Sequence, residues 1–431
     1  MRGSRTRRRL SKSAVALQCA LLACGCKGAA ARRENADPLV RGSLMLTLED
    51  GDLPPGVYAD GRIVGRDPDA RDTLTALQLP VPQRRGDRQM PVSQILAPNS
   101  AFGSASSLAL SRNGLRAIVA TTHASAAPSS QRAEELQASS ELQLIDVALW
   151  PPKLLDTAEC APAPVAASFH PSGERAAIAC RATGRLTLAV VQEQRFGPLV
   201  IVDLAGALGI DCEPSGVAWS PDGSLLCVTT GAPGTVSFWR VDLSTVTQPV
   251  VEQVGRTLQF GAYLRSPHWT LEGQRVVVAD VGWPSASSGV YILDPEGGVH
   301  LVGAPVGDAP ARLLHSSRLV PAPQAIALDP AGRTVASVAM RRQDLFAGSP
   351  RLGGIVSTLR VDPRSLQFLG SAPCGPLPHD AAFSSDGRDV VVAEFSSGSL
   401  EIFRLGETGA PVFTGVRIET GFGLHQVVIT P

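Results

Sequence analysis

Short apolar runs separated by a polar turn that contains a glycine recur along most of the chain. Four copies are clear (GVAWSPDGSLLCVTT, AASFHPSGERAAIAC, AIALDPAGRTVASVA and AAFSSDGRDVVVAEF), and two are degenerate (SLALSRNGLRAIVAT and PHWTLEGQRVVVAD). Repeats of roughly 40–50 residues built from short strands are typical of β-propellers. The pattern therefore predicts six blades of an all-β ring. The turn glycines that mark them are Gly114, Gly173, Gly223, Gly273, Gly332 and Gly387.

Large and small residues alternate ahead of each turn glycine, as the two faces of a strand require. The large residues, four positions before the glycine, are expected to stack between blades; they are Leu110, Phe169, Trp219, Trp269, Leu328 and Phe383. The residues one position earlier are expected to face a crowded central channel; they are Ala109, Ser168, Ala218, His268, Ala327 and Ala382. His268 is the exception in this small column.

The two chain ends are predicted to share one blade. The C-terminal HQVVITP matches the first strand of a repeat but has no second strand after it. An open ring would leave unpaired strand edges, and VRGSLMLTLEDG, GVYADGRIVG and LTALQLPV near the N-terminus are candidates for the missing strands. We therefore predict a seven-bladed β-propeller over residues 39–431, with repeats from about residue 105 and the last blade closed by 39–100 with 424–431.

The N-terminal segment is predicted to be an export signal. Residues 1–23 combine a basic start with a short apolar stretch, which is typical of signal peptides. Leu21-Leu22-Ala23-Cys24 resembles a bacterial lipobox, which implies lipidation of Cys24 and a tether over 24–38. Cys26 is a second candidate for lipidation, and a plain secretory signal is an alternative. An arginine pair leaves both Sec and twin-arginine export open, so the predicted location is the bacterial cell envelope, periplasmic or on its outer face.

The charge of the chain and the motifs that it lacks exclude several classes of function. Removing residues 1–23 takes away six of the 39 basic residues and none of the 39 acidic ones, which leaves a formal charge of −6. No basic stripe remains, so nucleic acid is not a predicted partner. The sequence has no GxSxG, P-loop, HExxH or CxxCH motif in a fitting context, and its histidines lack metal-site spacing. We predict no cofactor and no metal, and a monomer that binds an envelope protein or a small ligand.

Five cysteines lie beyond the predicted tether. Cys160 and Cys212 precede first strands, and Cys180 is near the end of a second strand, so all three are expected at the same face of neighbouring blades. Export permits disulfides, and one bridge among these three is predicted, with the pair left open. Cys227 is expected to be a buried apolar residue, and Cys374 is expected to be free.

Two features predict a binding face at one mouth of the ring, where ligand sites of closed β-structures tend to lie. The first is a polar collar at the start of the first strands: Arg265, Gln324, His379, Asp380 and His425, with His268 deeper. The second is a set of long loops after the second strands. The loop 123–141 has a composition typical of disorder, whereas the others are expected to form a binding rim with Trp283, Arg341, Arg342 and Phe346.

The last repeat resembles the closing part of the YVTN and lactonase-type seven-bladed propellers, the 6-phosphogluconolactonase-like family. The run from PLPHDAAFSSDGRDVVVAEFSSGSLEIFRL to GETGAPVFTGVRIETGFGLHQVVITP carries the resemblance. The resemblance implies lactone hydrolysis by His, Glu and Arg side chains near the channel. The family's Asn-Glu pair is absent, and Phe395 stands where that Glu would be. Pro378-His379-Asp380 is the nearest match to its Pro-Arg-His.

Because these motifs differ, the sequence favours a non-catalytic protein that binds a protein partner or ligand through its loop-rich face. The alternative is a lactonase-like hydrolase that acts at the central channel. The catalytic candidates for this alternative are Arg265, His379, Glu394 and His425.

Overall fold

The computed structural model describes residues 38–430 apart from 64–66, 68, 83–89, 104–105, 128, 232, 243–249, 261–262, 283–295 and 342–352. Seven antiparallel sheets follow one another around a ring, and each is one blade of a seven-bladed β-propeller. The first strands of neighbouring blades contact each other in an unbroken circle. The predicted fold is therefore confirmed.

The strands of the first three complete blades are as follows. Blade 1 contains β4 Leu108–Leu110, β5 Arg116–Ala120, β6 Glu141–Asp146 and β7 Lys153–Glu159. Blade 2 contains β8 Pro164–Phe169, β9 Arg175–Cys180, β10 Arg185–Val191 and β11 Phe196–Asp203. Blade 3 contains β12 Pro214–Trp219, β13 Leu226–Thr230, β14 Thr235–Asp242 and β15 Val250–Gln253, with β16 Leu258–Gln259 paired to β14.

The next three blades repeat this order from the channel outwards. Blade 4 contains β17 Leu264–Trp269, β18 Arg275–Asp280, β19 Gly297–Gly303 and β20 Arg312–Leu319. Blade 5 contains β21 Ala325–Leu328, β22 Thr334–Ala339, β23 Ile355–Val361 and β24 Leu366–Pro373. Blade 6 contains β25 Pro378–Phe383, β26 Asp389–Glu394, β27 Ser399–Leu405 and β28 Pro411–Glu419.

Blade 7 joins the two ends of the chain. Its first strand is β29 Leu424–Ile429, followed by β1 Leu44–Glu49, β2 Thr73–Gln78 and β3 Val92–Leu96. The first strand pairs with β1 so that Met45 faces Ile429, and Thr430 accepts a hydrogen bond from the Leu44 amide. The closure predicted from the sequence is therefore observed.

One of the three N-terminal segments predicted as strands is not a strand. GVYADGRIVG contains the helix α1 Val57–Asp60, which ends at Gly61 with φ 73°. Val57 and Tyr58 are buried against other loops, so their apolar character serves loop packing and not a sheet. The outermost strand of blade 7 is β3 instead.

Helical structure in the described residues is short and lies between strands. The second α-helix, α2 Leu204–Leu208, begins after Asp203, whose carboxylate accepts a hydrogen bond from the Gly206 amide. Two 3-10 helices span Ala133–Glu135 and Arg181–Thr183. None of the helices in the described part of the chain is long and apolar enough to cross a membrane.

The predicted turns and the predicted large column both occur. All six turn glycines lie between the first and second strands of a blade, with φ between 68° and 75°, a region that glycine enters without steric cost. Phe169 packs with Ile118 of the preceding blade, and Trp219 packs with Ala177. The large residues therefore fill the spaces between blades, as predicted.

Candidate functional site at the channel mouth

A repeated irregularity of the first strands builds the collar. In blade 6, Pro378 pairs with Glu394 and Asp380 with Ala393, so His379 is an extra residue in the strand. Blade 7 leaves His425 extra in the same way, and blades 2 and 3 leave Val165 and Ser215 extra. A β-bulge of this kind re-aims a side chain out of the strand's regular alternation. The equivalent positions that the sequence singled out are therefore bulge positions in four blades.

His379 is held as a neutral ring with a defined tautomer. Its Nδ1 lies 3.2 Å from the carbonyl oxygen of His425, which can only accept a hydrogen bond, so Nδ1 carries the proton. Its Nε2 is then the acceptor for the Tyr58 hydroxyl at 2.7 Å. Burial and the positive charge of Arg265 lower the pKa of His379 to about 3. The result is an uncharged imidazole whose Nε2 lone pair is directed at a hydroxyl group.

His425 is fixed by a second residue outside the repeats, Asn99. The Asn99 amide nitrogen donates to the carbonyl groups of Glu49 and Ala97, so its oxygen faces the ring. His425 Nε2 donates to that oxygen at 2.7 Å. Burial lowers the pKa of His425 well below its usual value, and the neighbouring His379 lowers it further. The two rings lie 5.9 Å apart.

Arg265 supplies the positive charge of the collar. It is 5% exposed, and its guanidinium carbon lies 5.2 Å from the centre of the Tyr263 ring. The charge acts on His379 two blades away, because the starts of the first strands converge on the ring axis. His379 and His425 therefore lie side by side, and the charge of Arg265 acts on His379.

Asp380 has a structural contact that the sequence did not anticipate. Its carboxyl group accepts a hydrogen bond from the Val427 amide of blade 7 at 3.0 Å, and burial raises its pKa well above the usual range. Gln426 occupies the next equivalent position and accepts from Ser107 and the Leu108 amide of blade 1. These side chains join adjacent blades next to the collar.

The remaining collar residues are partly defined. Gln324 is 6% exposed, and its backbone N–H donates to the Val338 carbonyl. His268 is half-buried, with a pKa lowered to about 4, mainly by burial. Arg341 follows β22 and is half-buried. Four residues predicted for lipidation or binding lie outside the described residues: Cys24, Trp283, Arg342 and Phe346.

Loops from blades 7 and 1 cover the collar. We call residues 50–63, 97–103, 123–127 and 129–138 the cap. Its apolar cluster contains Val57, Tyr58 and Ala101 and packs on Leu377 and Phe395 of blade 6. The last two cap segments lie in the loop predicted to be disordered. That prediction is wrong, because Ala126, Ala133 and Leu136 pack against this cluster.

The sequence analysis missed Tyr58 and Asn99 because neither follows the repeat. Tyr58 lies on α1, and its ring contacts Phe395 with centroids 5.1 Å apart. Asn99 lies between the last strand of blade 7 and the first strand of blade 1. The sequence feature that could have indicated Tyr58 was an apolar run in a segment too short to form a blade.

Three aspartates contact the cap. Among the described residues, these three have carboxylates placed so that they could together hold a metal ion. One carboxylate oxygen from each of Asp50, Asp52 and Asp72 lies within 4.8 Å of the others. Asp50 accepts from the Ala101 amide and Asp52 from the Ala126 amide. Burial and the neighbouring carboxylates raise the pKa of Asp50 and raise that of Asp72 to about 7. The group can therefore hold protons at neutral pH.

Glu394 belongs to a separate buried cluster within blade 6. It is fully buried and accepts from the Gly375 amide at 2.6 Å and from Ser397 at 2.8 Å. Glu401 accepts from the same amide and forms an ion pair with Arg417. Burial, then the hydrogen bond and negative charge of Glu401, raise the pKa of Glu394 to about 8. Its contacts hold the loop before β25, and they do not include the collar histidines.

The sequence matches no protein-family model and no curated protein, but the fold has many structural neighbours. The periplasmic gluconolactonase PpgL of Pseudomonas aeruginosa is 15% identical, with a TM-score of 0.61 over 90% of this chain and 99% of that one. A candidate 6-phosphogluconolactonase of Bacteroides fragilis is 11% identical, with a TM-score of 0.62 over 90% and 98%. The chain has the fold of lactonase-type propellers. The resemblance proposed from the last repeat is thereby confirmed at the level of fold.

A similar match comes from Bacteroides uniformis. Its candidate 6-phosphogluconolactonase is 12% identical, with a TM-score of 0.61 over 90% of this chain and 99% of that one. Identities of 11–15% establish the architecture alone, because one propeller fold hosts many functions.

Proposed function

We propose that this protein hydrolyses a small cyclic ester, a lactone, at the channel mouth beneath the cap. The observation that carries the proposal is the neutral His379, whose Nε2 accepts a hydrogen bond from a hydroxyl group while Arg265 supplies a positive charge nearby. Water bound in place of the Tyr58 hydroxyl would meet a base in its unprotonated form. Neighbours named as gluconolactonases support this hydrolase more than a partner-binding role.

Each residue has a role in this reaction. Once the cap has opened and burial no longer lowers its pKa, His379 takes a proton from the attacking water, which is general base catalysis. Arg265 stabilises the negative charge that develops on the carbonyl oxygen. His425 and Asn99 are positioning residues, because the His425 carbonyl fixes the His379 tautomer and Asn99 fixes the His425 ring.

The cap requires a change of contacts before a substrate can bind. His379 is 2% exposed and His425 is 1% exposed, so Tyr58 must move away from His379 to admit a ligand. Cap opening on substrate binding is a common gating step. The proposal therefore includes displacement of α1.

Base titration at constant pH tests the proposal, with glucono-1,5-lactone and its 6-phosphate as separate substrates. Acid release above the spontaneous rate is expected, and His379→Asn is expected to lower it at least about 100-fold. The control His170→Asn changes a histidine in the turn after β8, which is stabilised by Ser172, and is expected to keep the wild-type rate. A wild-type rate equal to the spontaneous rate would contradict the proposed hydrolase activity. A His379→Asn variant with the wild-type rate would show that His379 is not the base.

We also propose export of the protein, with Cys24 as the lipid attachment site. The lipobox-like Leu21-Leu22-Ala23-Cys24 and the periplasmic neighbour support this. Intact-mass analysis of the membrane fraction is expected to show a chain that begins at Cys24 and carries lipid. Cys24→Ser is expected to release the protein from membranes. A protein that fractionates identically with and without Cys24 would contradict the anchor.

The partner-binding role through Trp283 and Phe346 stays a prediction, since both residues lie outside the described residues.

A further inference from the structure

Two of the five cysteines of the described chain occupy one cluster. Cys160 lies in the turn between β7 and β8, and Cys180 is the last residue of β9. Both are buried in the same apolar cluster between blades 1 and 2. The other three lie in different clusters: Cys212, Cys227 and Cys374.

The two thiols are close enough to affect each other. The interaction between the Cys160 and Cys180 side chains raises the pKa of Cys160 and lowers that of Cys180. The Thr187 hydroxyl lies 3.5 Å from the Cys180 sulfur and also accepts from the Ala161 amide, 3.2 Å away. Thr187 therefore holds the turn that carries Cys160 against the strand that carries Cys180. Of the three pairs that the sequence left open, this is the pair whose members share one apolar cluster.

We propose that Cys160 and Cys180 form a disulfide bond when the protein folds in an oxidising compartment. The oxidant is a disulfide of a thiol oxidase or of oxidised glutathione. One of the two cysteine thiolates attacks the oxidant's disulfide, which breaks the oxidant's S–S bond and releases one oxidant thiolate. The other cysteine thiolate then attacks the first cysteine in the mixed disulfide and releases the second oxidant thiolate. Two S–H bonds are lost, one S–S bond forms, and the two electrons reduce the oxidant.

The timing of the reaction follows from burial. A thiolate is the nucleophile in thiol–disulfide exchange and must reach the oxidant. Both sulfur atoms are buried in the folded protein, so the exchange belongs to folding, before the cluster closes.

The bond would reinforce the support of the cap. Arg181 follows Cys180 directly, and its guanidinium donates to the Phe102 carbonyl of the cap at 3.5 Å. Burial and the charge of Arg181 lower the pKa of the cap residue His123 to about 4. A disulfide at Cys180 restricts the strand end that carries Arg181. This inference does not depend on lactone hydrolysis, because the thiols are outside the collar.

Peptide mapping of the whole chain tests the bond. The protein is unfolded, reduced, refolded with reduced and oxidised glutathione, then denatured and alkylated. Trypsin cleaves after Lys153, Arg175 and Arg181, so Cys160 and Cys180 are in separate peptides, 154–175 and 176–181. These peptides are expected as one linked species that separates on reduction, while Cys227 and Cys374 are alkylated.

Matched variants complete the test. Cys212→Ser is expected to keep the linked species, whereas Cys180→Ser is expected to lose it. Reduction is expected to lower the thermal midpoint of the wild type and of Cys212→Ser by a few degrees. Full alkylation of Cys160 and Cys180 after oxidative refolding, or a bridge to Cys212, would overturn the proposal. The wild-type map decides the question even if a variant does not fold.

Discussion

Replacing Glu394 by glutamine should change how stability depends on pH. Glutamine is neutral and has nearly the shape of the protonated carboxyl group. Its oxygen can accept from the Gly375 amide, as Glu394 does at 2.6 Å. The substitution thus keeps the contacts of the protonated form and removes the ability to ionise beside Glu401.

The magnitude follows from the two pKa values. The pKa of Glu394 rises from 4.5 to about 8 in the folded protein, through burial and then Glu401. Below pH 4.5 both states bind the proton, and between 4.5 and 8 the folded state alone keeps it. The free energy of unfolding therefore falls as pH rises, at about 1.36 kcal/mol per unit. The full loss by pH 8 is about 5 kcal/mol for this fully buried group.

Urea unfolding at pH 5, 6, 7, 8 and 9 measures the effect. The advantage of Glu394→Gln over the wild type is expected to grow by about 3–5 kcal/mol between pH 5 and pH 9. The control is Glu419→Gln, an exposed glutamate on β28 of the same blade, whose difference from wild type should stay constant. A pH-independent difference for Glu394→Gln would contradict the raised pKa of Glu394.

Three further predictions concern the Glu394 cluster and the collar histidine His379. Gly375→Ala should destabilise the protein by about 1–3 kcal/mol in thermal unfolding, because a Cβ there would lie 2.0 Å from the Glu394 carboxylate. The control Gly56→Ala should be nearly neutral, because a Cβ there would have nothing within 4 Å. Tyr58→Phe should cost about 1–3 kcal/mol in urea unfolding, because the buried His379 Nε2 loses its donor; an unchanged midpoint would contradict that contact. His379→Gln should weaken the acid sensitivity of stability below pH 6.5, since the folded pKa of about 3 means that the unfolded state alone gains a proton there; parallel acid titrations of the two proteins would count against a neutral His379.

The ring could be predicted because each repeat contains a recognisable turn and a recognisable packing position. The turn glycines mark the first hairpin of each blade, and residues such as Trp219 mark the packing between blades. The collar followed from counting back from these glycines, since equivalent positions of a repeat converge on the axis. Arg265, His379 and His425 were therefore predictable without a structure.

The cap was not predictable in this way. Its segments occur once each, so no repeat aligns them, and Tyr58 reaches His379 across 321 positions of sequence. Alternation could not separate α1 from a strand, because four residues are too few to show a helical period. The role of Glu394 was also hidden, since its partners Glu401 and Gly375 come from a neighbouring strand and a loop.

Because of the extra residue at the start of the first strands, different positions shape the channel mouth and set the packing between blades. After the bulge, Asp380 pairs with Ala393 and the regular register continues to Phe383, so the packing between blades is set downstream. A substitution at position 379 or 425 therefore alters the channel mouth, while the regular register of the strand resumes after the bulge. These positions form a set that protein engineers could vary in combination, and that evolution could use to exchange one ligand for another on an unchanged scaffold.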